Sequence, residues 1–492
     1  MEENVWLGID LGTQSVRAVA VSETGSVLGQ SSQPLTSRRD GLRHEQDPEE
    51  WWRATISACR GALANLHSRR IAGLAVDGTS GTILLTNSSG DALTLGLMYD
   101  DLRARKEAHS VSEAGRAIWA ALGYQMQPSW ALPKLLWLLR EHRSSVPGAR
   151  LTHQADFINR RLAGCEVPSD SSNALKTGYD LINESWPYDV LEALGVPEQI
   201  MPEVVRPGTQ MGTVCADAAV ATGIPAGTPI IAGMTDGCAA QIGAGALDVG
   251  SWNVVLGTTL VLKGVTNQLI RDPGGTLYSH RAPNGYWLPG GASNTGAGVL
   301  TERFPGQDLD LLGSQAAERE PVDIIAYPLA VRGERFPFVA PIAEGFVLGD
   351  AASDIRLYAA LLQGVSFVER LCFDYVDMLG APVGGSVTLT GGGARNHYWC
   401  QLRADVLERP VQLPENAEPA FGMAVLAASR GRSVGETAKQ MVHIREVIEP
   451  RAVRADRLRE LYLRLVEELA RRGWLQPRLL RHAKRRAQLA SA

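Results

Sequence analysis

Apolar runs of strand length fall into two sets along this chain, and each set opens on a glycine-threonine turn. Residues 4–10 and 14–22 alternate apolar and polar positions on either side of Gly12-Thr13, which predicts a β-hairpin. Residues 251–264, SWNVVLGTTLVLKG, repeat the arrangement around Gly257-Thr258-Thr259. Between the two sets the period changes. Residues 51–66 predict an amphipathic helix, and Asp47-Pro48 ahead of it supply an N-cap and a first-turn proline. IAGLAVDG reads as a buried strand, GTILLTNSSGDAL as a strand and turn, and residues 103–145 as largely helical. Residues 186–229 carry repeated Pro and Gly and read as a linking region. TPIIAGMTDGCAAQIGAGA is a strand, a turn and then small residues suited to close helix packing. Strands restart after residue 250 and include YSHRAPNGYWLPGG. Residues 354–375 predict a long helix, and SVTLTGGGARN a strand entering a glycine turn. Residues 457–472 predict a helix with Leu458, Leu461, Leu465 and Leu469 on one face and Gly473 as its C-cap. Hairpins interleaved with helices give an α/β class, divided near 240–250.

Length and charge narrow the function classes. A chain of 492 residues has room for more than one core. Its formal net charge of −5 provides no general basic field, which argues against nucleic acid as the main partner. The acidic start MEENVWLGID runs directly into a strand, unlike a signal peptide. No apolar run reaches the ~20 residues that span a bilayer. Cys59, Cys165, Cys215, Cys238, Cys372 and Cys400 show no metal-type pairing. Reduced thiols, no membrane partner and a cytoplasmic location are therefore expected. The tail 476–492 is basic and is expected to be solvated and partly frayed.

Candidate chemistry gathers at strand ends. Asp10 closes the first strand, two residues before Gly12. It suits either a water-mediated ligand of nucleotide-bound magnesium or an organiser of its own turn. Thr13 adds a hydroxyl, and turn N–H groups form an anion-binding concavity. Gly257, Thr258 and Thr259 offer the same in the second half. Two such turns suggest a duplicated architecture whose halves grip the phosphates of one nucleotide. Asp236 ends a strand and fits a general base for an attacking alcohol or a helix N-cap. Gly391, Gly392 and Gly393 leave room for a flat ligand such as adenosine, or for a tight turn. Asp77, Thr79 and Ser80, with Asp101, form polar patches that suit either a polyol ligand or ordinary loops. His44, His153 and His280 lack metal spacing. GxxxxGK[ST], strand-linked GxGxxG and GxSxG are all absent, which disfavours P-loop, Rossmann and hydrolase readings.

In this order the segments resemble the FGGY carbohydrate kinases. The matching pieces are GIDLGTQSVRA, MYDDLRA, HQADFINRRLAG, SDSSNALKTGYD, AGMTDGCAAQIGAGA, the LGTT turn, EGFVLGDAASDIRLYAALLQGVSFVER and TGGGARNHYWCQLRADVLERPV. The resemblance covers roughly residues 4–475. It implies an actin-like ATPase fold of two ribonuclease-H-like domains with an interdomain cleft. Residues 1–245 would form the sugar-binding domain, 246–475 the ATP-binding domain and 476–492 a basic tail. By the same resemblance Asp10 assists Mg2+, and Gly12 and Thr13 contact phosphate. Gly257, Thr258 and Thr259 hold phosphate from the other side. Gly391, Gly392, Gly393 and Asn396 form the adenosine site, and Asp236 is the catalytic base. Homodimers are expected on the same ground.

The departures bear on substrate. Common xylulose kinases carry Ser-Gly-Gln-x-His-Gly where this chain has Asp77-Gly78-Thr79-Ser80-Gly81-Thr82. That patch, the YSHR run and GGASNTGAG look closer to a xylulose kinase-like subgroup of plants and cyanobacteria that prefers D-ribulose. The resemblance therefore implies ATP-dependent phosphorylation of the terminal hydroxyl of D-ribulose, with Asp77, Thr79, Ser80, Asp101 and Asp236 at the sugar. The alternatives are D-xylulose, another pentulose or a polyol as acceptor. Further alternatives are an actin-like nucleotide switch or chaperone-type ATPase, and a non-catalytic sugar sensor.

Overall fold

The computed structural model describes residues 4–66, 70–142 and 147–489. Residues 143–145 of the expected helical stretch and 490–492 of the tail lie outside them. The chain forms two compact units. One comprises Met1–Gly245, His280–Tyr286 and Asn416–His443, the other Ala246–Ser279, Trp287–Glu415 and Ile444–Ala492. Among the described residues no helix is long and apolar enough to cross a membrane, and the six cysteines are unpaired.

The first unit is built on β1 (Asn4–Leu11), β2 (Ser15–Ser22) and β3 (Val27–Pro34). α1 (Pro48–Leu63) follows, capped by Asp47 as its sequence predicts. Then come β4 (Arg70–Gly78), β5 (Gln210–Thr213), β6 (Pro229–Ile231) and α2 (Asp236–Gly243). The strand order is β5-β6-β4-β1-β2-β3. β1 runs parallel to β4, β4 parallel to β6, and the remaining pairings are antiparallel. β1 reads as nearly continuous apolar sequence because both of its faces are covered towards its C-terminal end: Val5, Leu7, Ile9 and Leu11 are fully buried on one face, and Gly8 and Asp10 are buried on the other. The helix Pro419–Ala428 crosses β1 so closely that a Cβ on Gly8 would lie 1.6 Å from the Ala420 carbonyl oxygen. A Cβ on Gly422 of that helix would lie 1.9 Å from the Ala239 carbonyl oxygen in α2. These backbone contacts draw residues 416–443 into the first unit, whereas a linear division near 245 places them in the second.

The second unit contains β7 (Trp252–Leu256), β8 (Leu260–Gly264) and β9 (Trp287–Ser293). These lead to α3 (Asp354–Met378), β10 (Val387–Thr390), α4 (His397–Leu407), β11 (Val411–Pro414) and β12 (Ile444–Ile448). α5 (Ala452–Arg471) and α6 (Pro477–Leu489) close the chain. Its sheet runs β12-β11-β10-β7-β8-β9, with the short strand Tyr278–Arg281 outermost. Position by position this repeats the first sheet. β7–β8 is the antiparallel hairpin, β7 and β10 are parallel, and β10 and β11 are parallel.

The basic tail is not frayed over its described part. α6 buries Leu479, Ala483 and Ala487, a stripe at i, i+4 and i+8. His482 Nε2 lies 2.7 Å from Asp377 and Arg486 3.1 Å from Asp374, so these side chains meet acidic partners within the unit. The tail hides its apolar face in the sequence because two of the three buried positions are alanine.

Candidate functional site

Parallel pairing brings carboxylates from distant parts of the chain to one edge of the first sheet. Asp10 and Asp77 are register partners at the C-terminal ends of β1 and β4. Thr235 bridges to Gly78, the residue after Asp77, and Asp236 follows as the first residue of α2. Thr235 is the N-cap of that helix and Asp236 the position after it; Asp236 Oδ1 accepts from the Gly237 N–H at 2.7 Å.

Asp10 and Asp77 are 2% and 0% exposed, so ionising both is costly. Burial pushes the Asp10 carboxyl up to about 6, aided by the charges of Asp236 and Glu418 and opposed by Asp77 and Arg17. Arg17 reaches Asp10 at 3.5 Å and Glu418 at 3.3 Å. Asp77 is driven well above the usual carboxylate range by burial and then by Asp10 and Asp236. Neither of its oxygens receives a hydrogen bond from a donor among the described residues. The sequence reading placed Asp77 at a sugar; the structure buries it against Asp10.

The pH dependence follows in sign. Asp10 is ionised in the unfolded chain above about pH 4 and takes up a proton on folding until about pH 6. Its folded pKa is raised, so stability is fully present below about pH 4. It declines as pH rises through about 6. Urea unfolding in cation-free buffer is expected to show this decline in the wild type and a shallower one in Asp10→Asn. Equal slopes would refute it.

The turn after Asp10 is closed by the Gly12 N–H donating to the Ser15 carbonyl at 3.0 Å. Thr13 is half-buried, and its carbonyl accepts from Gln46 at 2.7 Å. The second-unit turn is one residue tighter: the Gly257 N–H donates to the Thr259 carbonyl at 3.0 Å. The chain at 295–298 supports it, with Ala297 N–H on the Gly257 carbonyl and Gly298 N–H on the Thr258 carbonyl. A Cβ on Gly296 would come within 2.4 Å of the Thr258 oxygen, which accounts for a glycine there. Thr258 itself is exposed. In the glycine triplet, Gly391 (φ +81) and Gly393 press on Leu256, while Gly392 faces open space. Gly392 is therefore the position at which a ligand can approach backbone. Asn396 caps α4 through the Trp399 N–H at 3.0 Å.

The remaining polar candidates divide. Thr79 gives both its N–H and its hydroxyl to Gln154 Oε1, at 2.9 and 2.8 Å. Ser80 Oγ and Gln154 Nε2 are buried without partners. Lys176 Nζ donates to the Ser80 carbonyl at 3.0 Å. Asp101 is fully buried and saturated by Arg103 and by the His44 N–H. Its carboxylate organises the fold at this loop.

The sequence reading missed Gln154, Ser172 and the position of His280. Ser172 Oγ lies 3.0 Å from His280 Nδ1 and accepts the Thr235 N–H at 3.2 Å. His44, His153 and His280 are all buried and hydrogen-bonded. Gln154 opens the helix Gln154–Ala163, where a buried amide breaks the apolar pattern.

Among the described residues no three His, Cys, Asp or Glu side chains are grouped to enclose a metal ion. The mutual repulsion of Asp10, Asp77 and Asp236 is nonetheless a surplus of negative charge. The donor set fits a hydrated divalent cation that arrives with phosphate better than one caged by protein.

Residues 5–243 match the N-terminal domain of the FGGY family of carbohydrate kinases, and residues 252–430 its C-terminal domain. The chain is 30% identical over 439 residues to a xylulose kinase of Escherichia coli, covering 86% of this chain and 89% of the relative. It is 26% identical over 437 residues to a gluconokinase of Bacillus subtilis, covering 84% of each. The solved structure of a xylulose kinase from Rhodospirillum rubrum superposes with a TM-score of 0.84 at 24% identity, over 95% of this chain and 98% of that one.

Proposed function

From its membership of the FGGY family of carbohydrate kinases, to which this chain belongs as an ATP-dependent sugar kinase, we propose that its acceptor is a ketopentose, D-ribulose ahead of D-xylulose. The supporting observation is the segment 77–82. It leads off the strand that sets Asp77 beside Asp10, and it keeps Ser80 Oγ, with Gln154 Nε2 behind Thr79, buried and unsatisfied. Such groups gain most from a ligand rich in hydroxyls, and an acceptor with one inverted carbinol leaves them unpaired. The segment also lacks the Gln and His of common xylulose kinases. D-xylulose remains the second reading because of the Escherichia coli relative.

In this reading Asp236 orients the terminal hydroxyl and takes its proton as the oxygen attacks the γ-phosphorus. The bond from that phosphorus to the bridging oxygen breaks and ADP leaves. Asp10 holds hydrated Mg2+, which when bound neutralises phosphate charge. Thr13 lies on the acceptor-bearing unit. Gly257, Thr258, Thr259 and the Gly391–Gly393 turn lie on the other and hold the nucleotide. Asn396 contributes its amide nitrogen, since Oδ1 is engaged as a cap.

The test is ADP release with Mg-ATP across D-ribulose, D-xylulose, L-ribulose, ribitol, glycerol and no sugar. The largest kcat/KM is expected with D-ribulose. A larger value with D-xylulose would overturn the D-ribulose assignment, and ADP release indifferent to every sugar would favour a nucleotide switch.

A further inference from the structure

The second unit holds a cavity of about 600 Å3 that the kinase chemistry does not use. It opens at the N-terminal end of β10, against Ser386, whereas the glycine triplet follows the C-terminal end of the same strand. Its volume falls in the range of small-molecule sites. The walls come from α3, from the C-terminal turn of α4 and from α6, which supplies Arg486.

The charges on these walls do not close. Glu408 is held by Arg370 at 2.7 Å and by Arg459 at 2.6 Å. Asp374 is held by Arg486 at 3.1 Å and by the Tyr462 hydroxyl. Arg409 donates only to the backbone carbonyls of Val383 and Gly385. No carboxylate pairs with it among the described residues. Arg486 is balanced by Asp374 and, at 3.6 Å, by Asp377, whereas Arg409, whose pKa burial and then Arg486 hold below the ordinary arginine value, has no carboxylate of its own among those residues. Beside them Phe373 and Leu407 give the cavity an apolar wall.

We propose that this cavity binds a small phosphomonoester, with the phosphate between Arg409 and Arg486 and the carbon skeleton against Phe373. Both guanidinium groups line the cavity, and a planar guanidinium with further N–H donors matches phosphate oxygens better than a point charge does. The apolar wall distinguishes an organic phosphate from the inorganic ion.

The experiment is titration calorimetry on the full chain with the nucleotide site saturated by a non-hydrolysable Mg-ATP analogue. The probes are D-ribose 5-phosphate and inorganic phosphate. The expected result is saturable binding of both, tighter for the sugar phosphate. Affinity for both should fall at least about tenfold in Arg409→Gln and again in Arg486→Gln, the loss of one charge-assisted hydrogen bond each. Arg486 lies on the outer helix, so its variant tests the site even if Arg409→Gln folds poorly. Basal sugar-kinase kcat should be unchanged in Arg486→Gln. Equal affinity for the two probes would still support the phosphate subsite and assign it to the free ion. Absence of binding, or binding unchanged in both variants, would overturn the proposal.

Discussion

Asp236→Ala is expected to lower kcat by roughly 10²- to 10⁴-fold, the usual contribution of a positioned general base, while ATP affinity stays near wild type. The geometry explains the split. Asp236 is the first residue of α2, a helix whose first turn closes on the Thr235 carbonyl and which is held by the close crossing at Gly422. Its side chain is not part of the glycine turns on the second unit. Removing the carboxylate should leave the fold and the nucleotide loops intact and remove only the proton acceptor. Single-turnover phosphoryl transfer together with a nucleotide titration checks both halves. Near-wild-type kcat would exclude Asp236 as the base. Matched losses in kcat and ATP binding would point instead to a structural role.

Arg403→Met is expected to destabilise the protein by about 3–5 kcal/mol. Arg403 and Glu369 are both 0% exposed and form a two-armed pair, Nε to Oε2 at 2.6 Å and Nη2 to Oε1 at 3.0 Å. The pair ties α4 to the middle of α3. Removing the cation leaves a carboxylate in a site without water, and that penalty exceeds the worth of the pair itself. The double variant Glu369→Leu with Arg403→Met should therefore recover much of the loss. Thermal unfolding of the two singles and the double decides it. A loss below about 1 kcal/mol in Arg403→Met, or a double variant worse than either single, would show that the pair is not isolated from solvent.

The features legible in the sequence were those carried by local periodicity. The two hairpins, the Asp47-capped helix and the leucine face of α5 follow from alternation, capping chemistry and a 3.6-residue repeat. What escaped depends on which strands pair. Asp77 reads as a sugar contact until β4 is set parallel to β1, when it becomes the buried register partner of Asp10. Asp101 has its partner Arg103 only two residues away, so its structural role was visible in principle. The Asn416–His443 segment crosses between units because small residues, Gly8, Gly422 and Gly243, permit backbone contact. No linear pattern announces that. Gln154 and Ser172 were missed for a related reason: each acts on a residue more than sixty positions away.

The two sheets share more than their hairpins, and beyond the extra outermost strand of the second they differ in how the sixth strand joins. Five strands agree in order, direction and chain sequence: β3-β2-β1-β4-β6 in one, β9-β8-β7-β10-β11 in the other. The sixth strand agrees in position and antiparallel sense alone. β5 precedes its neighbour β6 in the chain, whereas β12 follows its neighbour β11. The five-strand unit is thus what the two sheets have in common. The sixth strand covers the same sheet edge in both and is reached from opposite chain directions, so either route can pair an edge that would otherwise lie bare.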